Sequence, residues 1–251
     1  MEDANSVYSG ISELADAEQG LTNYYSNIID LIAGEFKKSR TLSEEIEVLE
    51  FGAGTGFLSE LMLEKFNLRS DCLEIDSTLL KILKKKGFTT YSNLEEIDKK
   101  FDLIFSSNVL EHIEKDVEAL LDLSKFLKPE GLLVNYVPAF PILFSDLDVS
   151  VGHYRRYTKR ELSSKLKEAG FEIQKIHYVD SLGFPASVLL KVLGYKSRGN
   201  IGGLKSMSIY DRFIFPISRT LDLLGFKKLI GKNIIVYSTL KGSVSHEHFG
   251  R

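Results

Sequence analysis

Val48-Leu49-Glu50-Phe51 runs straight into Gly52-Ala53-Gly54-Thr55-Gly56-Phe57, three alternating glycines behind a short apolar stretch. Without a Cβ at these places the chain can turn sharply, and a ligand can lie against bare peptide where a helix begins. Eighteen positions beyond Gly56, Glu74 closes a second apolar stretch over residues 70–75. An acid about 20 residues after a glycine loop is placed to accept the hydroxyl hydrogens of a cofactor ribose. Together the two features describe a nucleotide-type cofactor site. Two histidines have neighbours suited to proton transfer near neutral pH. His112 stands in Asn108-Val109-Leu110-Glu111-His112-Ile113, just past an apolar run, and His153 stands in Gly152-His153-Tyr154-Arg155-Arg156-Tyr157-Thr158 among aromatic and basic neighbours. Each also reads as a hydrogen-bonded structural histidine.

The elements that must hold these residues alternate. Apolar runs at 48–51, 70–75, 88–91, 101–106, 132–137, 171–179 and 233–240 read as strands. Helical stretches separate most of them, at 57–66, 77–86, 107–127 and 158–169, with Lys128-Pro129-Glu130-Gly131 as a turn. Strands alternating with helices of this length predict βαβ units. The expected fold is α/β, a Rossmann-like doubly wound sheet of seven strands, mostly parallel with an antiparallel last strand. Two N-terminal helices precede it, and a helical insertion stands before the last strand. One domain over 1–251 is expected: an N-terminal cap at 1–41, a cofactor-binding core at 42–180 and 233–242, an insertion at 181–232 that caps the acceptor, and a tail at 243–251. Tyr24 and Tyr25, opening the second helix, read either as a cover for the core edge or as a closure over the cofactor. Thr158, with Glu161 three residues on, predicts a capping box. Arg155 or Arg156 beside it suits an anionic acceptor; both readings of the pair stand.

Composition narrows the function classes. A formal charge of −3 over 251 residues lacks the basic excess of a nucleic-acid binder, so no nucleic-acid partner is expected. The single cysteine, Cys72, rules out an internal disulfide and a cysteine-type metal site and suits a reducing compartment. Met1-Glu2-Asp3 does not open a secretory signal, and no run of eighteen apolar residues occurs, so a cytoplasmic location is expected. Charge is uneven. Residues 1–180 hold 21 Lys and Arg against 32 Asp and Glu, whereas residues 181–242 hold 10 against 2. That basic, aromatic and apolar segment reads as a cap over the acceptor, as a dimer contact, or as a peripheral contact with the inner face of a membrane near a lipid-linked substrate.

Spacing separates the cofactor classes that share this architecture. The dinucleotide fingerprint is G-x-G-x-x-G/A; here the third glycine arrives one residue early and Phe57 occupies its place. A pyrophosphate cradle is therefore disfavoured, which weakens the reading as a nicotinamide-dependent oxidoreductase. Glu50-x-Gly52-x-Gly54-x-Gly56 instead resembles the first motif of class I S-adenosylmethionine-dependent methyltransferases, D/E-x-G-x-G-x-G. Phe101-Asp102-Leu103-Ile104 with Asn108 to Ile113 resembles that family's fourth strand and the segment after it, and Leu127 to Leu132 resembles its turn before strand five. The likeness covers residues 22–180. With the Gly152 to Thr158 segment it is similar to a bacterial small-molecule and glycan-associated subgroup.

The resemblance implies S-adenosyl-L-methionine as cofactor. It implies that Gly52, Ala53, Gly54 and Gly56 line the methionine and ribose part, that Glu50 orients the amino group, and that Glu74 takes the ribose hydroxyls. It places Ile75 on adenine, Asn93 at the adenine edge where the family usually has Asp, and Asn108 beside the methionine moiety. The expected activity is O-methylation of a small molecule or of a glycan or lipid-linked glycan precursor, with His112 or His153 as base. A non-catalytic cofactor-binding or partner-binding protein on the same fold is the remaining alternative. Glu111-His112 is similar to the E-x-x-E-H pattern of metal-placing methyltransferases, but Asn108 stands where the first Glu belongs, so no metal is expected. Asp146 and Asp148 could contribute oxygens to such a site, but as loop acids they read as solvated.

Overall fold

A computed structural model describes residues 11–38, 46–192 and 203–242. The expected tail at 243–251 lies outside the described residues, as does part of the N-terminal cap and of the insertion. Strands β1 (Val48–Phe51), β2 (Ser70–Leu73), β3 (Thr90–Tyr91), β4 (Phe101–Ser107) and β5 (Leu127–Pro138) run parallel. β6 (Phe171–Val179) and β7 (Asn233–Leu240) complete one seven-stranded sheet in the order β3-β2-β1-β4-β5-β7-β6. β7 is antiparallel to both β5 and β6 and lies between them. This is the expected fold. The helices are α1 (Ile11–Gly20), α2 (Thr22–Lys38), α3 (Phe57–Phe66), α4 (Ser77–Lys85), α5 (Asp116–Phe126), α6 (Asp146–Ser150), α7 (Lys159–Glu168), α8 (Gly183–Val192), α9 (Leu204–Ile209) and α10 (Phe215–Leu223). A π-turn at Tyr210–Ile214 joins the last two.

Alternate strand residues feed two cores, as side chains of period two must when both faces of a sheet are covered. Leu49, Ile104, Leu133 and Val236 pack with Leu120, Leu123, Leu162 and Leu166 of α5 and α7. Val48, Leu103, Phe105, Val134 and Ile235 pack on the other face with Ile28, Ile29 and Ile32 of α2 and Leu58 and Met62 of α3. Each of these fully buried aliphatic side chains contributes about 1.5–3 kcal/mol.

Two segments differ from the expectation. The stretch after β4 is not one helix from 107: a 3₁₀ turn at Leu110–His112 precedes α5, because Asn108 takes a left-handed φ of 54° that breaks a helical path. Lys128 to Gly131 is not a free turn but lies within β5, where the register slips between the Phe101–Leu127 and Leu103–Leu132 pairs and leaves these residues as a bulge. Thr158 does cap α7, its Oγ1 accepting from the Glu161 amide at 3.1 Å.

Asn108, Phe140 and Asp180 are left-handed at φ 54°, 59° and 66°, and they follow β4, β5 and β6 in turn. Three of the four positive-φ non-glycine residues described, all but Asn67 at the C-cap of α3, thus gather at one edge, the carboxyl ends of the parallel strands, which is where ligands bind in open α/β sheets.

Candidate active site

At that edge the glycine loop follows β1. The amides of Gly52 and Ala53 both donate to the Leu73 carbonyl, at 2.9 and 3.0 Å. Glu74, just past β2, is buried and ties the loop down: its Oε2 accepts from the Gly54 amide at 2.8 Å and its Oε1 from the Asp76 amide at 2.9 Å. Asp76 in turn caps α4, accepting from the Thr78 and Leu79 amides. Ile75, between them, projects outward and is 82% exposed. Gly52 has φ 74°, and a Cβ there would stand 2.5 and 2.9 Å from the two methyls of Val109, so the loop leans directly on the segment after β4. Asn108 begins that segment, its amide donating to the Tyr136 carbonyl at 2.8 Å. Gly56, at φ 81°, opens α3 and is closed from below by Leu83. Asn93 is exposed, its Oδ1 accepting from the Glu95 amide and its Nδ2 donating to Glu96 and Ser92.

Two expected residues lie deeper. Glu50 is buried beneath the loop, where Ser59 of α3 donates to its Oε2, and burial pushes its carboxyl up to about 8 against the Ser59 bonds. A carboxyl whose folded value exceeds its unfolded one holds its proton through folding, so its contribution is full below about 4.5 and is lost as pH rises through about 8. Glu50→Gln is expected to flatten that decline, a difference on the order of a few kcal/mol at pH 8. Urea melts of both proteins from pH 5 to 8 check this, and superimposable profiles would show that Glu50 ionises in contact with water. Tyr24 is the other. Its hydroxyl accepts from Tyr136 at 3.0 Å and from Asn233 at 2.9 Å, and its ring lies edge-on to Phe215, so it covers the core edge. Tyr25 lies edge-on to Phe57 at 5.5 Å, beside the glycine loop. Above that loop α1 comes down, with Thr55 donating to Glu18.

His112 and His153 come from different loops and meet, rings edge to face at 4.6 Å. Five-residue α6 positions the second: Asp148 accepts from the Ser145 amide at 2.9 Å and from the Ser145 hydroxyl at 3.1 Å. Its other oxygen is 2.9 Å from His153 Nδ1 and accepts from Arg156 Nε at 2.8 Å. Burial alone would raise Asp148, but the His153 and Arg156 bonds outweigh it and hold the carboxyl at about 2. An ionised Asp148 can only accept, so His153 Nδ1–H donates to it and the lone pair is left on Nε2. That Nε2 stands 3.9 Å from Glu111 Oε1. Burial, then the neighbouring His153, lower His112 to about 4, so it is neutral at pH 7. Burial raises Glu111 to about 8. Neither of its oxygens finds a partner elsewhere in the described chain, nor does Arg156 Nη1. Ligand atoms of Glu111, His112 and His153 all lie within 4.8 Å of one another.

Arg155 is a strut: it pairs with Asp116 at 2.7 Å and donates to the Glu114 carbonyl at 2.8 Å, while Tyr157 and Lys165 hold the same Asp116. It does not point freely at an acceptor. Pro141, Phe144, Tyr154, Arg155, Arg156 and Glu161 line an open cleft. Sequence reasoning passed over Asp148, taken for a solvated loop acid. The Ser145-x-x-Asp148 capping spacing five residues before His153 was the available signal.

A family model described as a methyltransferase domain matches residues 21–176, more than half of the chain. The chain belongs to the class I S-adenosylmethionine-dependent methyltransferases. It is 39% identical over 102 residues to malonyl-[acyl-carrier protein] O-methyltransferase 2 of Ilyobacter polytropus, covering 37% of this chain and 39% of that protein. It is 29% identical over 128 residues to a ubiquinone biosynthesis O-methyltransferase of Rickettsia bellii, covering 47% and 53%. The match therefore spans about two fifths to one half of these curated relatives. Among solved structures, a SAM-dependent methyltransferase from Archaeoglobus fulgidus superposes with a TM-score of 0.53 at 17% identity, over 86% of this chain and 94% of that one. Phosphoethanolamine N-methyltransferase 2 of Haemonchus contortus, solved with S-adenosyl-L-methionine, superposes with a TM-score of 0.55 at 16% identity, over 86% and 52%. These likenesses show the shared fold. This methyltransferase uses S-adenosyl-L-methionine, and its loop suits the cofactor: Gly54 donates its amide to the buried Glu74 carboxylate, which keeps lone pairs to spare. The nicotinamide reading, already weakened by the displaced third glycine, has no support left. No helix among the described residues is long and apolar enough to cross a membrane.

Proposed function

We propose that this methyltransferase methylates a hydroxyl of a small molecule or glycan, and that His153, oriented by Asp148, takes the hydroxyl proton. The Asp148–His153 pair is the observation that carries this reading, since it leaves Nε2 basic and aimed at a neutral His112 and an unpartnered Glu111. The O-methyltransferase names of the curated relatives support it. When bound, the cofactor supplies an electrophilic methyl on a sulfonium. The chain's own residues do the rest. Glu74 uses two of its roughly four acceptor sites on the Gly54 and Asp76 amides and keeps the others for the ribose hydroxyls. Gly52, Ala53, Gly54 and Gly56 give the methionine part its close approach. Ile75 covers adenine, Asn93 lies at its edge, Asn108 stands by the methionine moiety, and Glu50 braces the loop from beneath. Glu111, with a carboxyl that burial keeps protonated, and the spare Nη1 of Arg156 hold acceptor oxygens. Of the expected insertion, α8, with Phe184 edge-on to Phe140 and Lys191 donating to the Phe144 carbonyl at 2.8 Å, closes over the acceptor from the side.

A second reading of the same cluster rests on the unpartnered Glu111 and the two imidazoles near it: a divalent cation held by Glu111, His112 and His153 would acidify the acceptor hydroxyl itself. One experiment separates them. Methyl transfer from labelled cofactor to a panel of catechols, hydroxy acids and sugars is expected to yield O-methyl product, undiminished by chelator. Transfer that chelator abolishes and added Mg²⁺ or Mn²⁺ restores assigns the cluster to a cation, and transfer to amines alone overturns the hydroxyl reading.

A further inference from the structure

The helical run before β7, α9 through the π-turn to α10, is built inside out. Its buried stripe is Asp211, Phe215, Ser218 and Asp222, three of the four polar, while Ile209, Phe213, Ile217 and Leu224 on the opposite side are 57%, 61%, 57% and 73% exposed. Both stripes recur at three- or four-residue steps or their sum, so each is a true helix face. The polar stripe has partners. Asp211 accepts from the Asn23 and Tyr24 amides at 2.9 and 2.8 Å, capping α2. Ser218 donates to Asp180 at 2.8 Å, and Asp222 accepts from the Asp180 amide at 2.8 Å and from Ser181. Tyr210 adds a bond to Asp180 at 2.6 Å. The run is thus clamped to the domain by its polar side, and its apolar side is left outward. Leu223, Phe226 and Leu229 extend that apolar surface past the helix end. A contiguous exposed patch of this kind marks an interaction surface.

Charge selects the occupant. Asp211 and Asp222, the only acids in residues 181–242, are the two turned inward. What surrounds the apolar face is mainly basic: Lys205, Arg212 and Lys228 are exposed, and Arg219, also exposed, pairs with Asp30 at 3.5 Å. A second copy apposed through the same face would set these cations against their own equivalents, which opposes pairing. An anionic phospholipid surface meets both features, taking apolar side chains to the headgroup boundary and cations at its charge.

We propose that the outward face of α9 and α10, centred on Phe213 and Ile217 and rimmed by Arg212 and Lys228, docks this methyltransferase on an anionic membrane surface. The face lies in the interface plane and does not span. The proposal is independent of which acceptor is methylated, and the two are read by separate measurements.

The full chain is mixed with phosphatidylcholine vesicles with or without phosphatidylglycerol and sedimented. Co-sedimentation is expected with the anionic vesicles and to fall as salt is raised. Phe213→Glu with Ile217→Glu is expected to weaken it at least about tenfold. Arg212→Glu with Lys228→Glu is expected to weaken it about fivefold per residue and to blunt the salt dependence. All four positions are exposed, so circular dichroism and S-adenosylhomocysteine affinity are expected to match the parent. Absence of binding to either vesicle, or equal binding to both, overturns the proposal. So does a dimer, seen by analytical ultracentrifugation, that the Phe213→Glu, Ile217→Glu variant dissociates, because the face then belongs to a second copy.

Discussion

Replacing His153 with alanine is expected to lower kcat by about 10²–10⁴-fold, the usual worth of a positioned general base, with cofactor affinity unchanged. The reasoning is geometric. His153 reaches the cluster with Nδ1 held by Asp148 at 2.9 Å and Nε2 turned toward Glu111 and His112, so only one nitrogen can accept a proton from a ligand there. His112 is the weaker candidate, since burial and the neighbouring ring lower its basicity to about 4. Asp148→Asn tests positioning. It leaves the Ser145 cap a side-chain acceptor but can no longer demand the Nδ1 proton, so kcat is expected to fall while KM for the acceptor stays within about twofold. Glutamine at 153, with no basic nitrogen, is expected to match alanine. A His153→Ala enzyme of parental kcat assigns proton removal to water or to a bound cation.

Gly52→Ala is the second large effect. A Cβ at this position would press within 2.5 and 2.9 Å of the Val109 methyls, and φ of 74° is unfavourable for any side chain. Valine is stiff at χ1 and cannot swing its two methyls aside together. The left-handed conformation costs about 1–2 kcal/mol and the overpacking about 1–3 kcal/mol more. The loop and the segment carrying Asn108 must part, so S-adenosylhomocysteine affinity is expected to drop at least about 30-fold, on the order of 2 kcal/mol. Val109→Ala in the same chain relieves the crowding but not the backbone cost, so titration calorimetry on the four proteins of the cycle is expected to show partial rescue. Full parental affinity in Gly52→Ala would mean that the cofactor does not depend on this approach.

The Glu50-x-Gly52-x-Gly54-x-Gly56 spacing, with Glu74 18 positions beyond, pointed from the sequence alone, through its resemblance to a methyltransferase motif, to the cofactor class this chain uses. Such local signals survive because strand, turn and cap are set by neighbours along the chain. The alternation of apolar runs with helical stretches likewise announced a mostly parallel sheet of seven strands. What joins loops remote in sequence could not be read that way. Asp148 is an unremarkable loop acid until the fold sets it between His153 and Arg156, and Arg155 is a plausible anion binder until Asp116 claims it. Val109 gave no sign that it stands against Gly52. The polar lining of α10 is equally invisible, since an apolar helix with a few acids reads as ordinary until Asp211 and Asp222 are found pointing inward. Short-range spacing carried the cofactor motif; only tertiary contact, which decides what each carboxylate and guanidinium is bonded to, set Asp148 against His153 and turned the apolar face of α9 and α10 outward.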